Sequence, residues 1–206
     1  MRPKVVEDPS GRPGQRALRA LAAFTLALSV SLVVASARAD GGDIPAGVLA
    51  QLLSKIPAYD HGFRERAGRL AHVMILTNSA EPESVRAGTL LLAALLRESF
   101  IAGLPHQTFV HSFASAEALA AEVRRRQVSI VYVTAGLSDN LEAICRALEP
   151  LGVLTMANVP EYVERCVVVG FQILAGRPKI LVHLRHAQQN GVRFQSELLE
   201  LAKVYR

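Results

Sequence analysis

The chain has 206 residues, half of them hydrophobic, and a formal net charge of +5. Its first 39 residues hold 6 of the 23 Lys/Arg and 2 of the 18 Asp/Glu, leaving 17 basic against 16 acidic residues in the remainder. The basic balance therefore belongs mostly to the leader and excludes a charge-based argument for nucleic acid. The remaining 167 or so residues suffice for one domain with a real core.

The leader reads as a secretory signal peptide. Arg2, Lys4, Arg12, Arg16 and Arg19 form a basic n-region, and residues 20–35 an apolar core. Ala37-Arg38-Ala39 gives the small-x-small pattern of a cleavage site, so cleavage after Ala39 leaves Asp40 as the new N-terminus. Ala35-Ser36-Ala37 is a second candidate site. The competing reading is an uncleaved anchor, although a spanning helix wants about 20 apolar residues and this core is shorter.

The mature chain, residues 40–206, alternates helix and strand patterns. A first helix falls within 43–59, with Val48, Leu49, Leu52, Leu53 and Ile56 on its apolar side. Residues 60–69 are polar and read as a loop, and 70–76 as a buried strand. A helix follows over 81–97, with Pro82 in its first turn and Val85, Leu90, Leu91, Leu92, Leu95 and Leu96 spread over a wide apolar face. Residues 106–113 form a strand, and Ser115 caps a helix over 116–126. The next strand spans 128–133, the next helix 139–148, and a short strand 153–156. Residues 160–165 make a helical turn.

The C-terminal stretch closes the domain. Val- and Ile-rich runs on either side of Gly176-Arg177-Pro178 predict a hairpin adding antiparallel edge strands. A short polar helix and a break at Asn190-Gly191 lead to a last helix on which Phe194, Leu198, Leu201, Ala202 and Tyr205 share a face. The fold class is α/β: a single three-layer domain, a mostly parallel sheet flanked by helices, with a C-terminal β-hairpin and closing helix.

Chemistry is sparse. Strand ends at Thr77-Asn78-Ser79, Thr134-Ala135-Gly136 and Ala157-Asn158 mark the crevice where such sheets bind ligands, and they are equally ordinary turn residues. No Gly-rich nucleotide loop and no G-x-S-x-G elbow follows a strand. The histidines are His61, His72, His106, His111, His183 and His186; His183 and His186 lack the partners that would complete a metal site. His72 lies in an apolar strand as a core residue. Glu81/Glu83 and Glu161/Glu164 read as first-turn helix charges, and Arg124-Arg125-Arg126 as charges at a helix C-terminus. The residues therefore name no catalytic set, cofactor or metal. Cys145 and Cys166 are the two cysteines. They either bridge, closing a loop of about 20 residues for roughly 3 kcal/mol, or stay free, with Cys145 packed beside Leu141, Ile144 and Leu148 as a small hydrophobe.

Val168-Val169-Gly170-Phe171, Lys179-Ile180-Leu181-Val182, Ala187 with Gly191-Val192, and Ser196-Glu197-Leu198-Leu199-Glu200-Leu201-Ala202 resemble the end of the YfiR/HmsC-like family. That family closes with a Gly-(apolar)-Phe hairpin and a helix of the form S-x-L-L-x-L-A. The strands over 128–133 and 153–155 also fit, so the resemblance spans 128–205. Two positions depart from it: His183 replaces the usual Asn, and Val167-Val168 replaces a common Gly-Gly. The resemblance implies a periplasmic regulator without enzymatic activity. Its implied partner is the periplasmic part of an inner-membrane diguanylate cyclase, which relatives repress, lowering cyclic di-GMP and biofilm formation. Some relatives depend on disulfides and redox state. A homodimer is a further candidate assembly, and a small solute-binding component of a transport system is the alternative function.

Overall fold

The computed structural model describes residues 44–206, which lie within one compact unit, Asp40–Arg206. The expected leader and the cleavage site after Ala39 fall outside the described residues. Seven strands form one sheet, ordered β2-β1-β3-β4-β5-β6-β7. They are β1 (Ala71–Thr77), β2 (His106–Ser112), β3 (Ile130–Val133), β4 (Leu154–Ala157), β5 (Val169–Leu174), β6 (Arg177–His183) and β7 (Lys203–Tyr205). All pairings are parallel except β5 with β6. The four residues of β3 and of β4 are all buried, as strands in a doubly covered sheet should be.

Helices cover both faces. On one side lie α1 (Ala46–Lys55), α2 (Phe63–Ala67) and α3 (Pro82–Leu95), which bury Leu53, Phe63, Leu91 and Leu95 against Val73, Ile75, Ile130 and Tyr132. On the other lie α4 (Ala116–Arg126), α5 (Leu141–Leu148) and α6 (Pro160–Arg165), with Leu119, Val123, Ile144, Leu148 and Tyr162 packed on Met74, Leu76, Val131 and Val133. Alternate residues of the central strands β1 and β3 thus feed two separate cores. Ser115 caps α4 by accepting from the Ala118 amide at 3.2 Å.

The structure corrects the expectations in four places. The polar stretch 60–69 is not a loop: it contains α2, and Asp60 is buried before it. The apolar face of α3 is narrower than its sequence suggests. The helix sits on the sheet along Ser84, Gly88, Leu91 and Leu95, while Val85, Leu90 and Leu96 are exposed. Gly88 permits that approach, since a Cβ there would lie 2.5 Å from the Thr77 methyl.

The third and fourth corrections concern the C-terminus. The hairpin turn is Ala175-Gly176, both with positive φ, and Arg177 and Pro178 already belong to β6. This is the two-residue geometry that matches strand twist. After α7 (Leu184–Gln189), the last helix, α8 (Ser196–Leu201), stops before Ala202, whose backbone is extended. The final residues pair in parallel with β6, Lys203 to Leu181 and Tyr205 to His183, so the hairpin does not form the sheet edge. Leu201 is exposed, and Tyr205 packs through a strand. The open edge of β6 offers backbone partners that further helical turns could not use. Leu198 alone of the six α8 residues is fully buried, joining the core of Phe171 and Val182.

Candidate functional site

The strand order places a topological switch between β1 and β3, where ligands of such sheets usually bind beyond the strand C-termini. Here that place is filled by its own side chains. Thr134 Oγ1 donates to the Leu76 carbonyl (2.9 Å) and lies 2.6 Å from Ser84 Oγ. Ser84 Oγ also accepts from the Asn78 amide at 2.9 Å. Asn78 Nδ2 donates to the Gly136 carbonyl at 2.8 Å, and Asn78 Oδ1 accepts from the Ala80 amide. One turn further on, the buried Tyr162 hydroxyl accepts from the Leu137 amide at 3.0 Å. Thr77-Asn78-Ser79 and Thr134-Ala135-Gly136 therefore work as a knot joining the loops after β1 and β3. Ala157 is buried and Asn158 half-buried after β4.

The opposite end of the sheet carries a cleft of about 390 Å³. One wall is the C-terminal half of α5, with Cys145 and Arg146, and the residue after it, Glu149; the other is α7 and the residue after it, with His186, Gln189 and Asn190. Thr155 at the start of β4 forms the floor, and its hydroxyl oxygen accepts from the Val168 amide at 3.0 Å. Cys145 and Cys166 meet here in a disulfide with Cα atoms 6.1 Å apart, tying α5 to the end of α6.

The polar groups of the cleft are unevenly satisfied. Arg165 donates to the Ser138 carbonyl at 3.0 Å and to Glu142 at 3.2 Å. His186 Nδ1 lies 2.8 Å from Gln189 Oε1. Asn190 Nδ2 donates to the His186 carbonyl at 2.8 Å; only the NH2 can donate there, which fixes the amide orientation. Asn190 Oδ1 is then a buried acceptor with no protein donor. Leaving such a group unsatisfied costs about 1–3 kcal/mol. Among the described residues, neither Arg146 nor Glu149 makes an ion pair.

Behind α7, His183 is buried at the end of β6, its ring 4.0 Å from that of His186 and stacked at 6.3 Å on Tyr205. Its Nδ1 has no hydrogen-bond partner. Burial pushes this imidazole below the ordinary histidine range, and the neighbouring His186 and Arg185 add to the effect.

The remaining predicted residues are scattered. His72 is half-buried and donates from Nδ1 to the Gln127 carbonyl at 3.3 Å. His106 Nε2 donates to the Glu98 carbonyl at 2.8 Å, so its Nδ1 accepts from Thr108 at 2.9 Å. His61 is exposed, and His111 lies on edge strand β2. No three His, Cys, Asp or Glu side chains among the described residues could hold a metal ion. Glu122 pairs with Arg125 at 2.7 Å and with Arg126, whose guanidinium sits 4.3 Å over the Phe109 ring. Those two arginines are therefore engaged locally.

One organising residue escaped the sequence reading. The buried Asp60 carboxylate accepts from the Gly62 and Arg193 amides, both at 3.1 Å, and from the Arg66 guanidinium. Arg66 also reaches the Gly191 carbonyl at 3.2 Å. Asp60 thus joins the segment between α1 and α2 to the segment after α7. Its only sequence signal is the Asp-x-Gly turn over 60–62.

Among solved structures, the chain resembles a conserved domain protein from Vibrio cholerae O1 biovar eltor, with TM-score 0.60, 11% identity and coverage of 79% of this chain and 60% of that one. It also resembles an ABC domain in complex with L-Trp from Streptococcus pneumoniae, with TM-score 0.56, 14% identity and coverage of 79% and 62%. The ligand-free, open structure of CD0873 from Clostridium difficile, a substrate binding protein with adhesive properties, gives 0.51, 10%, and 70% and 57%. The chain spans about three fifths of the length of these structures, and the likeness is one of α/β fold. No curated protein matches it in sequence. No helix among the described residues is long and apolar enough to cross a membrane. The YfiR/HmsC-like family pattern matches residues 74–203, from the middle of β1 into β7, and the chain belongs to that periplasmic, regulatory family.

Proposed function

We propose that this protein is a non-catalytic regulator in the periplasm. The leader over residues 1–39 carries it across the inner membrane, and cleavage after Ala39 releases the domain 40–206. Its partner is the periplasmic region of an inner-membrane signalling protein of the diguanylate cyclase type, whose output it lowers, and with it cyclic di-GMP and biofilm formation. Family membership is the observation that carries this reading. The disulfide between α5 and α6 suits an oxidising compartment.

Repression of this kind is a population shift. The domain can bias its partner only by the difference in its affinity for the inactive and active states. A tenfold preference is worth about 1.4 kcal/mol. Deleting the gene is expected to raise cellular cyclic di-GMP, and resupplying the chain with its leader to lower it again. Resupply of residues 40–206 without the leader leaves the level high. Unchanged cyclic di-GMP after deletion contradicts the proposal.

A second reading, favoured by the polar cleft beside the disulfide, is a small solute-binding component of a transport system. Deletion would then reduce uptake of a solute and leave cyclic di-GMP alone.

A further inference from the structure

The two edges of the sheet are guarded differently. At one edge, β7 is three residues long and carries Lys203, the short and charged form that keeps other strands from pairing with it. At the other, β2 runs for seven residues with no Lys, Arg, Asp, Glu or Pro. The Ala71 amide donates to the Pro105 carbonyl at 2.9 Å and the Phe113 amide to the Thr77 carbonyl at 2.8 Å, so the odd-numbered residues of β2 turn their backbone groups to β1. The N–H and C=O groups of His106, Thr108, Val110 and Ser112 therefore point away from the sheet. Apolar surface lies beside this row. Of the seven large hydrophobic side chains exposed among the described residues, five gather here: Val85 and Leu90 of α3, Leu96 and Phe100 just beyond it, and Val110 of β2. Val110 pairs with Ile75, whose side chain joins the core under α3, so Val110 faces the α3 side of the sheet.

We propose that this edge pairs with the same edge of a second copy of the chain, β2 antiparallel to β2 about a two-fold axis at Phe109. The outward-facing residues then match: Thr108 opposes the partner's Val110 and His106 the partner's Ser112, each pair exchanging both backbone hydrogen bonds. The same axis lays α3 antiparallel beside its copy, since both helices lie on one face of the joined sheet. Gly88 sits against Thr77 and Ile75, which places α3 along the stretch of strand that pairs. Val85 and Leu96 lie on one flank of the helix, three turns apart, so each meets the other across the axis. Glu83, in the first turn of α3, comes beside the partner's Arg97, just past its last turn. Arg97 makes no ion pair among the described residues, and Glu83 has only the exposed Arg86 at 3.2 Å. A different protein would have to present this order of apolar and charged groups in reverse, whereas a second copy does so by symmetry. The pairing and the regulatory reading do not depend on each other.

The test is sedimentation equilibrium of the purified protein, with amide hydrogen exchange followed at Thr108 and Val110. A monomer–dimer equilibrium is expected, with both outward amides protected in the dimer. Val110→Pro removes an N–H that β1 does not use, and edge strands tolerate proline, so it should weaken dimerisation about tenfold or more. Leu96→Glu, at a position 66% exposed, should do the same while melting like the parent, and it decides the matter if Val110→Pro fails to fold. Leu201→Glu, equally exposed but placed before β7, should leave the dimer intact. Glu83→Arg and Arg97→Glu should each weaken it, and an equimolar mixture of the two variants should associate more tightly than either alone. A monomer at every concentration, a dimer that Val110→Pro and Leu96→Glu leave unchanged, or one that Leu201→Glu dissociates equally would overturn the assignment.

Discussion

The two ends of the sheet make opposite use of polar side chains. Beyond the C-termini of β1 and β3, Thr134, Ser84 and Asn78 spend their donors and acceptors on one another and on backbone carbonyls. At the other end, Asn190 Oδ1, Arg146 and Glu149 lack protein partners beside a disulfide-braced cleft. Polar residues at a strand end therefore do not by themselves mark a binding site. Asn78 and Thr134 have the residue types and position expected of one, and they hold the loops shut instead. Whether the polar groups pair within the protein distinguishes the two ends, and residue type alone does not.

Substitutions can break or sharpen this contrast. The largest effect is expected from Leu198→Asp, because α8 buries this residue in the core it shares with Phe171 and Val182. Burying a charge there should cost more than about 4 kcal/mol and leave no cooperative melting transition. A soluble variant melting like the parent would make α8 a surface element. Next comes removal of the cross-link at the open end. Reduction, or Cys145→Ser with Cys166→Ser, should cost roughly 3 kcal/mol in chemical denaturation, with protection from hydrogen exchange lost first in α5 and α6.

At the closed end, Thr134→Val removes the hydroxyl shared by Ser84 and the Leu76 carbonyl, leaving buried groups unpaired at a cost of about 1–3 kcal/mol. The loss should stay in the loops after β1 and β3 and leave the disulfide-braced end unchanged. The smallest effect concerns pH. The folded-state pKa of His183 is depressed, so its contribution is present above the unfolded value of about 6.5 and is lost as pH falls below it. Stability should decline on acidification, and His183→Asn should flatten that decline. An identical pH profile in the variant would place the acid sensitivity elsewhere.

Much of the fold was legible because residues 73–76 of β1 and the whole of β3 are apolar runs and helix-period patterns separate the strands. The Gly170-Phe171 element was legible through its family resemblance, and its physical basis emerged in the fold: Gly170 packs where a Cβ would strike Val163. The last helix was misread because Leu201, Ala202 and Tyr205 fit a helical period as well as a strand, and the unpaired edge of β6 decided between them. The width of α3's apolar face was misjudged because Gly88 and Ser84 carry the contact. The cleft had no signature in the sequence. Its walls come from α5 and α7, and Asn190-Gly191 reads as nothing more than a turn until the helix it ends is placed against Thr155. Whether the two cysteines meet likewise depends on a Cα separation that only the fold supplies.

The most direct test of the contrast between the ends is residue-resolved amide hydrogen exchange of the oxidised and the reduced protein. Protection lost on reduction over 141–148 and 160–166, with 77–79 and 134–136 unchanged, is the predicted result. Loss centred on 77–79 and 134–136 would contradict it.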